Sequence, residues 1–159
     1  MTEQELHRHL EELEKNPERV AAAVAGLDDS VLRFKPAPGK WSILEILAHL
    51  ADAELIWGYR IRQAIADKEP AFAPIDQDAW ARNLGYTEAS PAEWLALYQT
   101  NRRANLRLLR RLSLADLAKG GFHPELNRKF TLAETIERLA GHDPNHLGQI
   151  ERLKQQATR

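Results

Sequence analysis

The sequence predicts an all-α fold, a four-helix bundle with a long crossover between its second and third helices. Three observations carry this. Apolar residues recur at helical spacing in four long stretches. Three of these stretches open on capping signals: Ser42-x-x-Glu45, Ser90-Pro91-x-Glu93 and Thr131-x-x-Glu134. Between the second and third lies a connection over residues 67–89 containing Pro70, Pro74 and Gly85, whereas bundle helices are usually joined by about 2–8 residues. A length of 159 residues suits one domain, read here as 1–159.

The first helix is expected over about residues 3–26, with Leu6, Leu10, Leu13, Val20 and Val24 on one face. Asn16-Pro17 interrupts it. Proline lacks a backbone donor, so a kink or a restart with Asn16 as a new N-cap is expected there. Pro36, Pro38 and Gly39 then forbid a continuous helix. The second helix spans about residues 42–66, with Ile43, Ile46, Leu47, Leu50, Trp57, Ile61 and Ile65 as its stripe. The long connection after it can carry the chain to the far end of the bundle, which sets the second and third helices parallel. The third helix starts at Ser90; Trp94, Leu95, Tyr98, Leu109 and Leu112 face inward, with Asn101 and Asn105 on the same stripe. Ser113 to Asp116 begins a short turn ended by Gly120-Gly121, and residues 122–130 read as a small hairpin-like loop. The fourth helix runs from Thr131 to about Gln155 on Leu132, Ile136, Leu139, Ile150 and Leu153; Pro144 should bend it or free the Ala140 carbonyl.

Composition narrows the function. Lys+Arg number 22 against 23 Asp+Glu, which leaves no basic footprint for nucleic acid. No apolar run is long enough to span a membrane, and the polar, amphipathic N-terminus is not a signal peptide, so a cytoplasmic location is expected. The absence of cysteine removes disulfides, thiolate ligands and cysteine nucleophiles together, leaving His, Asp or Glu to hold any metal. No phosphate-binding glycine loop and no serine nucleophile elbow is present.

Of the six histidines, His7 and His9 read as solvent-facing. His142 and His146 lie four apart, within about 40° on the inner face of the fourth helix, a natural two-point chelate. His49 flanks the apolar stripe of the second helix. Three imidazoles from two helices can fill three corners of a tetrahedron and leave the fourth open, the pattern of a catalytic zinc site. Glu54, near the middle of the second helix's stripe, must be paired: with an arginine such as Arg102, or with an imidazole N–H. Asp143 is a fourth ligand, an acceptor behind a ligand, or a cap for backbone freed by Pro144. His123 can overhang the site as an acid–base group. Asp76, Asp78 and Trp80 in the crossover are weaker candidates, with Trp80 read as a hydrophobic plug. Asp52 is expected in solvent, and the arginines at 102, 103, 107, 110 and 111 read as a solvated face.

The series Lys40-Trp41-Ser42-x-x-Glu45-x-x-x-His49-Leu50-x-Asp52-x-Glu54, with Gly141-His142-Asp143-x-x-His146-x-x-Gln149-Ile150 nearly a hundred residues later, resembles the DinB/YfiT-like superfamily. Pro36-x-Pro38-Gly39, Asp76-Gln77-Asp78-x-Trp80 and His123-Pro124-Glu125 extend the resemblance over nearly the whole chain. It implies a four-helix bundle with a long crossover, a metal at one end on His49, His142 and His146, and frequently a homodimer. Relatives are described as metal-dependent hydrolases, or as transferases or isomerases that use a low-molecular-weight thiol. The expectation is therefore a metalloenzyme acting on a small-molecule substrate, with zinc the default ion and nickel or iron fitting nearly as well. The rival is a non-catalytic bundle serving dimerisation or a stress response, with a structural or vestigial metal.

Overall fold

The computed structural model describes residues 1–158. The chain forms α1 (Glu3–Val24), α2 (Asp29–Leu32), α3 (Ile43–Ala66), α4 (Gln77–Asn83) and α5 (Pro91–Leu109). A 3₁₀ turn (Asp116–Ala118), strands β1 (Gly120–His123) and β2 (Arg128–Thr131), and α6 (Leu132–Ala157) follow. The four long helices α1, α3, α5 and α6 each open on a full capping box. Thr2, Ser42, Ser90 and Thr131 accept a backbone N–H, and a glutamate three positions on returns to the cap.

α1 and α3 each pack on α5 and α6, so the order around the bundle is α1, α5, α3, α6. Ile43, Ile46 and Leu50, early in α3, share a cluster with Tyr98 of α5, Val20 and Val24 late in α1, and Ile150 and Leu153 late in α6. Ile61 and Ala64, late in α3, cluster with Leu106 and Leu109 late in α5, Leu13 of α1, and Leu132 and Ile136 early in α6. Thus α3 and α5 run parallel, as the crossover length suggests, while α1 and α6 run against them.

The hairpin-like loop is an antiparallel pair, from Gly120 opposite Thr131 to His123 opposite Arg128. The crossover adds to it. Phe72 N–H donates to Phe122 O at 2.9 Å and Phe122 N–H to Pro70 O at 2.8 Å. Glycine is needed here: a Cβ on Gly121 would lie 2.6 Å from the Phe72 ring, and one on Gly120 would meet the Phe130 carbonyl.

Some expectations need correction. The crossover contains α4, capped by Asp76 accepting from Ala79 N–H at 2.9 Å, and a single turn, α2, occupies the loop before Pro36. α1 does not restart at Pro17. Asn16 lies inside it, fully buried, and accepts from Arg19 Nη1 at 3.1 Å. Proline at 17 leaves the Leu13 carbonyl without its helical donor, and Arg102 Nη1 supplies one at 2.9 Å. α6 likewise continues through Pro144.

Candidate metal centre

α3 presents His49 and α6 presents His142 and His146 to one point. His142 Nε2 lies 3.1 Å from His49 Nε2 and 3.2 Å from His146 Nε2. One ligand nitrogen from each histidine falls within 4.8 Å of the others. His49 and His146 are buried, and His142 is half-buried at the opening. A neutral imidazole nitrogen has one in-plane hydrogen or one lone pair, never both. His142 Nε2 therefore cannot satisfy both neighbours by hydrogen bonding. A cation satisfies all three lone pairs at once. Zinc–nitrogen bonds of about 2.0–2.1 Å place tetrahedral ligands about 3.3 Å apart, close to the observed separations, so the donor set fits a divalent metal.

Neighbouring groups prepare the ligands. His146 Nδ1–H donates to Gln149 Oε1 at 2.9 Å, which leaves Nε2 with its lone pair. Burial, reinforced by the adjacent imidazoles, pushes His49 down to about 3. Burial and His142 push His146 down to about 4, against the opposing pull of Gln149. Both are neutral at pH 7, the form that binds metal. The Trp41 ring, 4.9 Å from that of His49, covers one side.

Glu54 and Asp143 converge on Arg102 rather than on the imidazoles. Arg102 Nη2 donates to Glu54 Oε1 at 2.7 Å, and Nη1 lies 2.8 Å from Asp143 Oδ2. Asn105 Nδ2 completes the Glu54 carboxylate, donating to Oε2 at 2.9 Å. Arg102 is thus no part of a solvated face: it is 2% exposed. Asp143 Oδ1 stands 3.8 Å from His142 Nδ1, too far for a hydrogen bond. Burial opposes ionisation of Asp143, but His142 and Arg102 outweigh it and hold the carboxyl down to about 2. Asp143 is therefore an anchored anion behind His142.

His123, at the end of β1, is 8% exposed, and its Nδ1 has no partner among the described residues. It lines a cleft of about 140 Å³ together with His49, His142, Arg60 and Arg138. Burial, then the nearby Arg60, pushes its pKa down. A second cleft opens beyond His142 and His146 and is lined by Lys40, Trp41, Asp78 and Arg152. Other candidates fall away. His7 pairs with Glu11 at 3.0 Å on the surface, and half-buried Trp80 lines a separate apolar dent. Asp52 is half-buried rather than solvated, because Tyr86 of the crossover donates to it at 2.7 Å; burial raises its pKa against that bond.

The sequence model of the DinB superfamily matches residues 12–150. The chain belongs to the DinB superfamily. A Bacillus subtilis (strain 168) relative named "Putative metal-dependent hydrolase YfiT" is 26% identical over 153 residues, 96% of this chain and 86% of that one. An Oceanobacillus iheyensis relative, also named "Putative metal-dependent hydrolase", is 28% identical over 149 residues, 93% of this chain and 85% of that one. A solved structure of YfiT from Bacillus subtilis, described as "a probable metal-dependent hydrolase with an unusual four-helix bundle topology", is similar with a TM-score of 0.92 and 26% identity over 98% of this chain and 89% of that one. Among the described residues no helix of this DinB-superfamily chain is long and apolar enough to cross a membrane.

Sequence reasoning named Trp41 and Gln149 in its motifs without giving them a role, and missed Arg60 and Arg138 around the cluster. Gln149 was within reach: it sits three residues after His146, on the same helical face. Arg60 had no signal, because the strand and crossover that enclose it come from distant parts of the chain.

Proposed function

We propose that this DinB-superfamily chain is a metal-dependent hydrolase whose divalent ion is held by His49, His142 and His146. The observation that carries the reading is the meeting of three imidazole nitrogens at distances that hydrogen bonding cannot satisfy. A divalent ion on three imidazoles keeps a coordination position open and lowers the pKa of water, or of a cosubstrate thiol, toward neutrality. Zinc suits the ligands, as do nickel and iron. The names of the relatives favour the hydrolytic form. Around the centre, Gln149 keeps His146 in its ligating tautomer and Trp41 shields His49. His123 lines the adjoining cleft and serves there as an acid–base group. Ile56, Trp57 and Phe130 form the apolar wall against which a small-molecule substrate is held. A thiol-transfer form draws on Lys40 and Arg152, which give the second cleft a cationic edge for anchoring such a thiol.

Elemental analysis of the purified native protein and of a His142→Ala/His146→Ala variant tests the centre. The expected result is an equimolar divalent metal in the native chain and its loss in the variant. A native chain that takes up no metal even on reconstitution sinks the proposal. Metal-dependent turnover of ester, amide or thiol-plus-electrophile panels then separates the hydrolytic and thiol forms from a non-catalytic bundle.

A further inference from the structure

Arg60 is a buried cation of a different kind from Arg102. It is 7% exposed, yet its only hydrogen bond among the described residues runs from Nη2 to the Ala73 carbonyl at 2.6 Å. Among the described residues no carboxylate forms an ion pair with it, and Nε and Nη1 have no acceptor. A buried charge without a counter-charge is costly. The faces of Trp57 and Phe72, with centroids 5.1 and 5.5 Å from Cζ, recover part of that cost. Arg138, exposed and also without an ion pair among the described residues, lines the same cleft. Burial lowers the Arg60 pKa; Glu125 acts against this, and Arg138 adds to it. The guanidinium thus stands between a carboxylate, Glu125, and a like charge, Arg138, both lining the cleft it shares with His49, His142 and His123.

We propose that this cleft is an anion subsite: Arg60, with Arg138 at the rim, binds the carboxylate or phosphate group of a small substrate whose apolar part lies against Ile56 and Phe130. Nη2 of Arg60 keeps a second N–H beyond its bond to Ala73, and with Nε–H or Nη1–H it offers a fork that matches the paired oxygens of such a group; the anion supplies the paired counter-charge that Glu125, outside ion-pair distance, does not. A volume of about 140 Å³ is close to that of cavities known to admit benzene. The substrate of the hydrolase would then carry an anionic group, held in a cleft that His49 and His142 also line. That use of the subsite rests on the proposed metal centre; the binding itself does not.

The test titrates the full chain, as purified and after chelation of metal, with benzoate, phenyl phosphate and benzamide. Calorimetry and tryptophan fluorescence report binding, since Trp57 lies against Arg60. The expected result in the metal-free chain is saturable binding of at least one anion, about tenfold or more tighter than neutral benzamide. Arg60→Gln should remove that preference, and Arg138→Gln, at an exposed position that can be changed without disturbing the core, should weaken it a few-fold. Whichever anion binds more tightly identifies the head group. Equal binding of benzamide and both anions, no saturable anion binding, or undiminished binding by folded Arg60→Gln overturns the subsite. Should Arg60→Gln fail to fold, the benzamide comparison and Arg138→Gln decide. A chain that discriminates between anion and amide but takes up no metal keeps the subsite and loses the hydrolase; the reverse result keeps the metal centre alone.

Discussion

Arg102→Met keeps most of the side-chain volume and removes the charge on which the bundle's polar centre depends. Arg102 and its two carboxylate partners have side chains no more than 2% exposed. Its loss leaves Asp143 and half of the Glu54 carboxylate unpaired, and returns the Leu13 carbonyl to the unsatisfied state that Pro17 imposes. Breaking a buried ion pair from one side costs about 3–5 kcal/mol, and an orphaned buried carbonyl about 1–3 kcal/mol. Asn105 still holds one Glu54 oxygen, so a total of about 4–6 kcal/mol is expected. That is a large share of the about 5–15 kcal/mol that stabilises a domain. Urea denaturation followed by circular dichroism measures it. The pH dependence supplies a second, independent signature. In the native protein Asp143 titrates well below its ordinary value of 3.8, so its contribution is present above that pH and is lost as pH falls toward about 2. Without Arg102 the sign reverses: a buried unpaired carboxylate takes up a proton on folding, and stability is lost as pH rises. The deficit of the variant should therefore be greatest at pH 7 and narrow on acidification. Neutralising all three groups, as Arg102→Met/Glu54→Gln/Asp143→Asn, should recover much of the loss. A deficit below about 1 kcal/mol, or one that does not change with pH, would refute the reasoning.

Other variants probe single contacts. Gln149→Ala removes the acceptor on His146 Nδ1 and should weaken metal affinity about 10–100-fold with little change in fold, measured by competition with a chromogenic chelator. Gly58→Ala would set a Cβ 2.5 Å from Asn105 Oδ1 and push the amide off its bonds to Glu54 and Arg62; a loss of about 1–3 kcal/mol in thermal denaturation is expected. Glu45 accepts from Lys35 Nζ at 2.7 Å and from Ser42 N–H at 2.8 Å. Burial opposes ionisation of Glu45, but these bonds hold its pKa below the ordinary 4.5, so its contribution is present above that pH and fades below it. Glu45→Gln should cost about 0.5–2 kcal/mol at pH 7 and flatten the acid limb of the stability profile.

The long helices were legible because their signals are local: an apolar stripe for α1, and for α3, α5 and α6 also a capping residue with its glutamate three positions on; the Thr2–Glu5 box of α1 went unread. The parallel course of α3 and α5 followed from connection length alone, and the His142–His146 chelate from helical spacing. What escaped depends on contacts between distant segments. Pro17 looked like a break because nothing near it in sequence could satisfy the Leu13 carbonyl; the donor comes from α5. Arg102, within a run of arginines, looked like solvated surface until two carboxylates from other helices met it. Asp52 looked exposed until the crossover brought Tyr86 to it. α2 and α4 are too short to show a period.

His49 and His142 are separated by 93 positions. An ion shared between them would be a cross-link as well as a reagent, closing a loop that spans most of the chain. In the chain-entropy view, a link across about 100 residues removes about 4–5 kcal/mol of freedom from the unfolded ensemble. Withdrawing the ion would then loosen the clasp between the first half of the molecule and the last helix, so that the lifetime of the fold rises and falls with metal supply.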